Sequence, residues 1–302
     1  MRVLVAGATG VLGRPLLERL RSRGHHLTAM VRTASAAPGV DTVVADGLDP
    51  AAVTAAVVAA RPDAVVHQMT ALRGLTADAM QATARLRTEG TANLIVAARA
   101  AGVRRLVAHS IAFAAEPRGG PVVDEDAPLY RAAPDPAWAH TVNAVAELER
   151  LVLAANGAVL RNGVLYGPGT AYARDGQTGQ AVLRGRLPLA GSGSGVTSFV
   201  HVEDAAAGTV AAVESPVTGI FHLTDDDPAP AAQWLPFLAE RLGGPPPRPV
   251  PGPLAARLIG WFPAFQLTEM RGAANERART ELGWKPARPS WRAGLGADGE
   301  GG

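Results

Sequence analysis

Cysteine is absent from this 302-residue chain, lysine occurs once, and aromatic residues make up only 5% of it. The first absence excludes disulfides, thiolate nucleophiles and cysteine-based metal sites, and fits a reducing compartment. The lone lysine is Lys285, near the C-terminus, so arginine carries nearly all the positive charge. Net charge is only +2, although the isoelectric point is about 9.5. The arginines are scattered, usually near an acid. No basic block or interleaved aromatic patch suggests nucleic acid. No apolar run approaches the roughly 20 residues that span a bilayer. The N-terminus, M-R-V-L-V-A-G-A-T-G, enters a strand and a glycine turn directly, without a signal-peptide core and cleavage site. A cytoplasmic protein with no membrane and no nucleic-acid partner is expected, and a homodimer is left open.

The chain is instead rich in strand–helix alternation. R-V-L-V-A (Arg2 to Ala6) is a continuous apolar β-forming run, the pattern of a buried parallel strand. A glycine turn and a helix closed by Gly24 follow. H-L-T-A-M-V-R and D-T-V-V-A-D read as the second and third strands. A helix over 49–60 and the strand D-A-V-V-H-Q-M come next. Apolar residues at helical spacing run from about Ala77 to Ala101. R-R-L-V-A-H-S is a fifth strand. A helix beginning near Trp138 then leads into A-V-L-R-N-G-V-L-Y. This alternation predicts an α/β Rossmann fold, a doubly wound parallel sheet, with a smaller C-terminal substrate-binding region. Residues 1–165 are expected to form the dinucleotide-binding domain, with 196–225 returning to it. Residues 166–195, rich in glycine, and 226–296, rich in proline, are expected to bind substrate. Residues 297–302 read as a disordered tail.

The strongest local signal is Gly7-Ala8-Thr9-Gly10-Val11-Leu12-Gly13, between a strand and a helix. Glycines there permit a tight turn and close backbone approach to a diphosphate. The exposed N–H groups and the positive helix end hold the anion. At the end of the second strand an acid would bind a ribose 2′-hydroxyl, whereas an arginine accommodates a 2′-phosphate. Arg32 stands there, with Ser35 nearby and no acid before Asp41, which favours NADP while NAD is kept as possible. Asp46, after the third strand, is placed either to accept from an adenine amino group or to cap the turn before L-D-P.

These pieces together resemble the extended short-chain dehydrogenase/reductase family, the NAD-dependent epimerases and dehydratases. The resemblance covers nearly the whole chain. It rests on G-A-T-G-V-L-G, D-A-V-V-H-Q-M-T-A, T-E-G-T-A-N-L-I-V-A-A-R-A-A-G-V-R-R-L-V-A-H-S-I-A, V-L-R-N-G-V-L-Y-G-P-G, S-F-V-H-V-E-D-A-A and E-L-G-W-K-P. It implies cofactor contacts at Gly7, Thr9, Gly10, Val11, Leu12, Gly13, Arg32, Asp46, Gly47, Met69, Thr70, Ser110 and Asn143.

The departures from the family are informative. Its catalytic pair is Y-x-x-x-K, followed four residues on by a helical glutamate. Anchoring on Glu147 puts Asn143 at the lysine position and Ala139 at the tyrosine position. The motif occurs nowhere else, because Tyr130, Tyr166 and Tyr172 are followed at the fourth residue by Pro134, Thr170 and Gly176. In the family the tyrosine exchanges a proton with the substrate oxygen, and the lysine holds the nicotinamide ribose and lowers the tyrosine pKa. General acid–base help of this kind is worth roughly 100- to 10,000-fold in rate. Asn143 retains hydrogen bonding toward the ribose but supplies no charge. His140, adjacent to the missing tyrosine, titrates in a suitable range. Ser110 is a candidate polariser of a substrate oxygen. Tyr166, opening Y-G-P-G, is a third candidate acid or a wall of the pocket.

Trp138, Tyr172, Trp234 and Arg271, with Tyr166, are candidates to line the substrate pocket. Arg161 reads as structural and His201 as a hydrogen-bonded core histidine. Asp225-Asp226-Asp227 before Pro228 reads as a solvated turn. His25, His26 and His67 lack metal-ligand spacing, so no metal is expected. The functional expectation is an NADP-dependent reductase, or a related epimerase or dehydratase, acting on a small organic substrate with a non-standard active site. Reduction of a conjugated double bond or an already activated carbon suits such a site better than ketone reduction, because less protonation of oxygen is required. The alternatives are a non-catalytic NADP-binding sensor and a non-redox cyclase or lyase on the same fold.

Overall fold

The computed structural model describes residues 1–33, 39–72 and 76–297. Ser35 and the tail beyond Ala297 lie outside the described residues. Seven parallel strands form the central sheet: in spatial order Gly219–Leu223, Ala158–Asn162, Arg105–Ile111, Ala64–His67, Arg2–Ala6, His26–Val31 and Asp41–Val44. The first strand in the chain pairs on one side with the second (Val3 opposite Leu27) and on the other with the fourth (Val5 opposite Val66). Strand order therefore reverses at Arg2–Ala6. In an open α/β sheet the crevice at the carboxyl ends of such strands is where ligands bind.

Both faces are covered, which is why the central strands are apolar on both sides. The helices Gly13–Ser22 and Val202–Glu214 pack on one face, around Val3, Val5, Val66 and Val107. The helices Pro50–Ala60, Thr91–Ala100 and Pro136–Ala154 cover the other, around Leu4, Val65, Leu106 and Val159. The long helix expected from Ala77 to Ala101 is interrupted. An α-helix over Ala77–Arg85 passes into a π-helical turn over Leu86–Gly90 before resuming as Thr91–Ala100. A π turn widens the backbone by one residue and re-aims a side chain, which a period of 3.6 cannot reveal.

The last sheet strand, Gly219–Leu223, comes from the stretch expected to return to the first domain. A second core joins Tyr166, Tyr172, Phe199, Trp234, Leu238 and Trp291 with their neighbours. The stretch 276–288 departs from the expected division. Ala278 and Trp284 are buried in the nucleotide-domain core. The Trp284 indole N–H donates to the Asp204 carbonyl (3.1 Å), and the Asp204 carboxylate accepts from the N–H groups of Ala287 and Arg288. The E-L-G-W-K-P segment is thus a strap across the start of the helix Val202–Glu214.

Candidate active site

The glycine turn has one outward and two inward members. Gly7 has φ +93°, and a Cβ there would sit 2.5 Å from the Gln68 carbonyl oxygen. A Cβ on Gly13 would sit 2.5 Å from the carbonyl oxygens of Gly7 and Ala8. Both glycines are therefore required by packing. Gly10 is exposed, and a Cβ there would approach only the Gly7 carbonyl oxygen, at 3.3 Å. Its Cβ position faces the crevice. The helix Gly13–Ser22 begins at Leu12 with no side-chain cap and no acid in its first turn. An uncapped helix start above an open glycine suits a dinucleotide diphosphate.

Neighbouring loops close around the turn. A Cβ on Gly47 would meet the Met69 sulfur at 2.6 Å, so Met69 fills the gap beside that loop. The Asn93 amide donates to the Gly47 carbonyl at 3.0 Å. Asp46 is exposed and accepts from the Leu48 N–H at 3.0 Å, which leaves its other carboxylate oxygen toward solvent. Thr70 is exposed beyond Met69, and Thr9 is exposed within the turn. Arg32 is exposed directly after the second strand. Across the crevice, the Gly169 Cβ position lies 3.9 Å from the Val11 side chain, so the Tyr166-Gly167-Pro168-Gly169 loop faces the glycine turn. The residues present fit a nicotinamide dinucleotide.

At the other end of the crevice the structure corrects the alignment of the long helix. Glu149, not Glu147, faces the sheet. Its carboxylate accepts from the Ser110 hydroxyl (2.7 Å) and from the Arg161 Nε and Nη2 (2.8 and 2.7 Å). Both members of that ion pair are almost fully buried. Arg161 Nη1 also donates to the Glu125 carbonyl at 3.1 Å, confirming Arg161 as a structural group. Glu147 instead pairs with Arg150 at the surface. One and two turns of helix before Glu149, on its face, stand Val145 and Thr141, both buried. The pair position therefore carries Thr141 and Val145 rather than Ala139 and Asn143. The Thr141 hydroxyl donates to the Ala137 carbonyl at 3.0 Å.

His140 and Asn143 lie on the exposed side of this helix. Asn143 is engaged by Arg131, whose Nε donates to its amide oxygen (2.9 Å), and it donates in turn to the carbonyls of Arg131 and Ala139. Ser110 is 1% exposed with its hydroxyl committed to Glu149. Tyr166 is fully buried, edge-on to Phe199 and His201, with its hydroxyl unpartnered. Burial, and then the charges of Asp225 and Asp204, raise its pKa. Tyr172 accepts from Gln266 at 2.8 Å within the second core, where burial pushes it up to about 12. Trp234 is buried in that core too. Arg271 ties down the 117 loop through the Pro117 carbonyl at 3.2 Å. His201 caps its helix, its Nδ1 accepting from the Glu203 N–H. In the aspartate run, Asp225 is buried rather than solvated, and burial raises its pKa to about 8. Among the described residues no group of side chains is arranged to hold a metal.

Trp138 is buried in an aromatic cluster beside Ile111, the last residue of the fifth strand. Its ring lies 4.3 Å from that of Phe262 and is stacked 6.2 Å from that of Phe113. Trp261 and Phe265 stack at 5.0 Å, and Tyr130 packs on both. With only five Trp, three Tyr and six Phe in the chain, six of them meet here, beside Ile111 and Val145. Phe113, Tyr130, Trp261 and Phe262 are partly exposed. Sequence reasoning missed all but Trp138. The W-F-P-A-F run at 261–265 was the available signal, but its place against Phe113 is set only by folding.

The NAD dependent epimerase/dehydratase family model matches residues 3–222. The chain belongs to that family. It is 66% identical over 304 residues, spanning 99% of this chain and 100% of the relative, to a 3-diazoavenalumate denitrifying reductase of a Streptomyces species. The human epimerase family protein SDR39U1 (isoform 2), solved with NADPH, is 25% identical with a TM-score of 0.74, covering 98% of each chain. WbmG of Bordetella bronchiseptica, solved with NAD and UDP, shares the fold at 21% identity and a TM-score of 0.73, covering 95% of this chain and 89% of that one. The chain is an oxidoreductase or epimerase-like enzyme, and a nicotinamide dinucleotide is its supported cofactor. This sets aside the non-catalytic sensor. No described helix is long and apolar enough to cross a membrane.

Proposed function

We propose that this enzyme is an NADPH-dependent reductase that replaces the diazo group of an aromatic acid by hydrogen. The observation that carries the reading is the pair position itself. Thr141 and Val145 offer neither a phenol to protonate a substrate oxygen nor a cation to hold one deprotonated, and the Thr141 hydroxyl is bound to its own helix. Removal of a diazo group needs no such acid. When bound, the reduced cofactor supplies a hydride whose electron pair forms the new carbon–hydrogen bond, while the carbon–nitrogen pair departs with dinitrogen. The relative at 66% identity is named for this class of reaction.

The chain's own residues then have positioning roles. The backbone N–H groups at Val11, Leu12 and Gly13 hold the diphosphate, and Gly10 leaves room for it. Arg32 pairs with the 2′-phosphate, as a guanidinium at the end of the second strand does in NADP-binding sheets. The partly exposed rings of Phe113, Trp261 and Phe262, backed by Trp138, stack on the substrate ring and exclude water from it. Ser110 and Glu149 fix the strand end and the helix against each other.

The test is anaerobic turnover of an ortho-diazoquinone bearing a carboxylate side chain, using NADPH deuterated at the nicotinamide C4. The expected result is loss of NADPH absorbance, release of dinitrogen, and deuterium at the ring carbon that lost nitrogen. NADPH consumption with deuterium elsewhere, or no consumption at all, overturns the reading. Arg32→Ala should weaken NADPH by about tenfold or more and leave NADH within about twofold, as loss of a charge-assisted contact requires. Equal weakening of both would remove Arg32 from the assignment.

A further inference from the structure

The π-helical turn carries a cation that no acid of the described residues binds directly. Arg87 is 7% exposed, and among the described residues its guanidinium has no hydrogen bond or ion pair. The backbone at this point is held by a relay. The Met69 N–H donates to His67 Nδ1 (3.2 Å), so His67 Nε2 carries the proton shared with the Thr91 hydroxyl (3.0 Å). That hydroxyl donates to the Arg87 carbonyl (2.6 Å). Burial, and then the Arg87 charge, hold His67 at about 4, so it stays neutral in this relay. The π turn packs against the helix Pro136–Ala154.

The charge of Arg87 is felt by His67 and His109, at the ends of the fourth and fifth strands, and by Glu149 on the helix. The relay through His67, the last residue of the fourth strand, places the π turn beside the carboxyl end of that strand, where it packs on the helix that carries Thr141 and Val145. Glu149 acts on Arg87 only through space, because its carboxylate oxygens accept from Arg161 and Ser110. Burial lowers the pKa of Arg87 to about 10, which leaves it charged at neutral pH. A buried cation without a partner is costly, and such groups persist where a ligand supplies the counter-charge.

We propose that Arg87 is the anion-binding residue of the active site and takes an oxyanion of the substrate, a carboxylate or a phenolate on the aromatic acid. This rests on the reductase reading for the substrate class, but not on the diazo step. A cation here complements an anionic substrate and disfavours the oxidised nicotinamide, whose ring carries a positive charge.

The test uses the full chain saturated with NADPH and reads quenching of tryptophan fluorescence by 4-hydroxycinnamate, methyl 4-hydroxycinnamate and 4-methoxycinnamate. Wild type should bind 4-hydroxycinnamate about tenfold or more tightly than whichever derivative lacks the recognised oxyanion. Arg87→Gln should abolish that preference while leaving NADPH affinity within about twofold, and Arg87→Lys should retain part of it. The derivative that loses affinity in wild type identifies the oxygen. Melting provides an independent readout. Removing an unpaired buried charge should leave Tm unchanged or raised in Arg87→Gln, whereas a structural arginine would lower it. Equal binding of all three probes to wild type overturns the proposal, as does weakened NADPH binding or a lowered Tm in Arg87→Gln. Arg87-dependent binding of the anion without diazo turnover would instead sink the reaction and leave this site standing.

Discussion

Replacing Glu149 by Gln tests the register of the long helix and the network that holds it to the sheet. The change keeps the shape but removes the charge that faces Arg161 at 2.7 and 2.8 Å and accepts from Ser110 at 2.7 Å. Both ionised groups have side chains only 5% exposed. Breaking one partner of a buried pair costs about 3–5 kcal/mol, most of it from the stranded charge. A chain of 302 residues unfolds with an entropy of about 0.6 kcal/mol per kelvin at its midpoint, so Tm should fall by roughly 5–8 °C. Glu147→Gln, four-tenths exposed and paired with Arg150 on the surface, should show no measurable change. Replacing Glu149 and Arg161 together by methionine should recover most of the loss, since no charge is then stranded. Differential scanning fluorimetry in one buffer, with and without NADPH, measures all four proteins. A fall in Glu147→Gln matching or exceeding that in Glu149→Gln would refute the register. It would return Ala139 and Asn143 to the pair position.

The glycine turn separates packing from binding: Gly13→Ala should be destabilised, because its Cβ meets two carbonyl oxygens at 2.5 Å. Gly10→Ala should melt like wild type yet lose about tenfold or more in dinucleotide affinity by isothermal titration, since its Cβ enters the crevice; unchanged affinity would place the diphosphate elsewhere. Asp225 tests the buried aspartate run. Its folded pKa, raised from 3.8 to about 8 by burial, means that the native state holds a proton the unfolded chain releases. The associated stability is present below about pH 4 and is lost as pH rises toward 8, by a few kcal/mol at most. Asp225→Asn removes that dependence, so the Tm of the variant relative to wild type should rise between pH 5 and pH 8; a constant difference would show that the carboxyl is ionised throughout.

Much of this protein was written locally. The apolar run Arg2–Ala6 is a strand buried on both faces, and Gly7, Gly10 and Gly13 fall at the following turn, because both features depend on neighbours in the chain. Strand–helix alternation likewise specified the doubly wound sheet. The absence of a Tyr-x-x-x-Lys pair could be read outright from residue identities. Which helix residues stand in its place could not. Glu147 and Glu149 are two positions apart and equally plausible as anchors until Arg161 and Ser110, brought in from other strands, select Glu149. The aromatic surface joins Phe113, Trp138 and Trp261–Phe262 across well over a hundred positions, so only tertiary contact assembles it. Nothing in the sequence singles out Arg87 among the scattered arginines. The π turn, a single inserted residue with no signature in hydrophobic period, is what carries it indoors, and the desolvation that follows is a property of the fold alone.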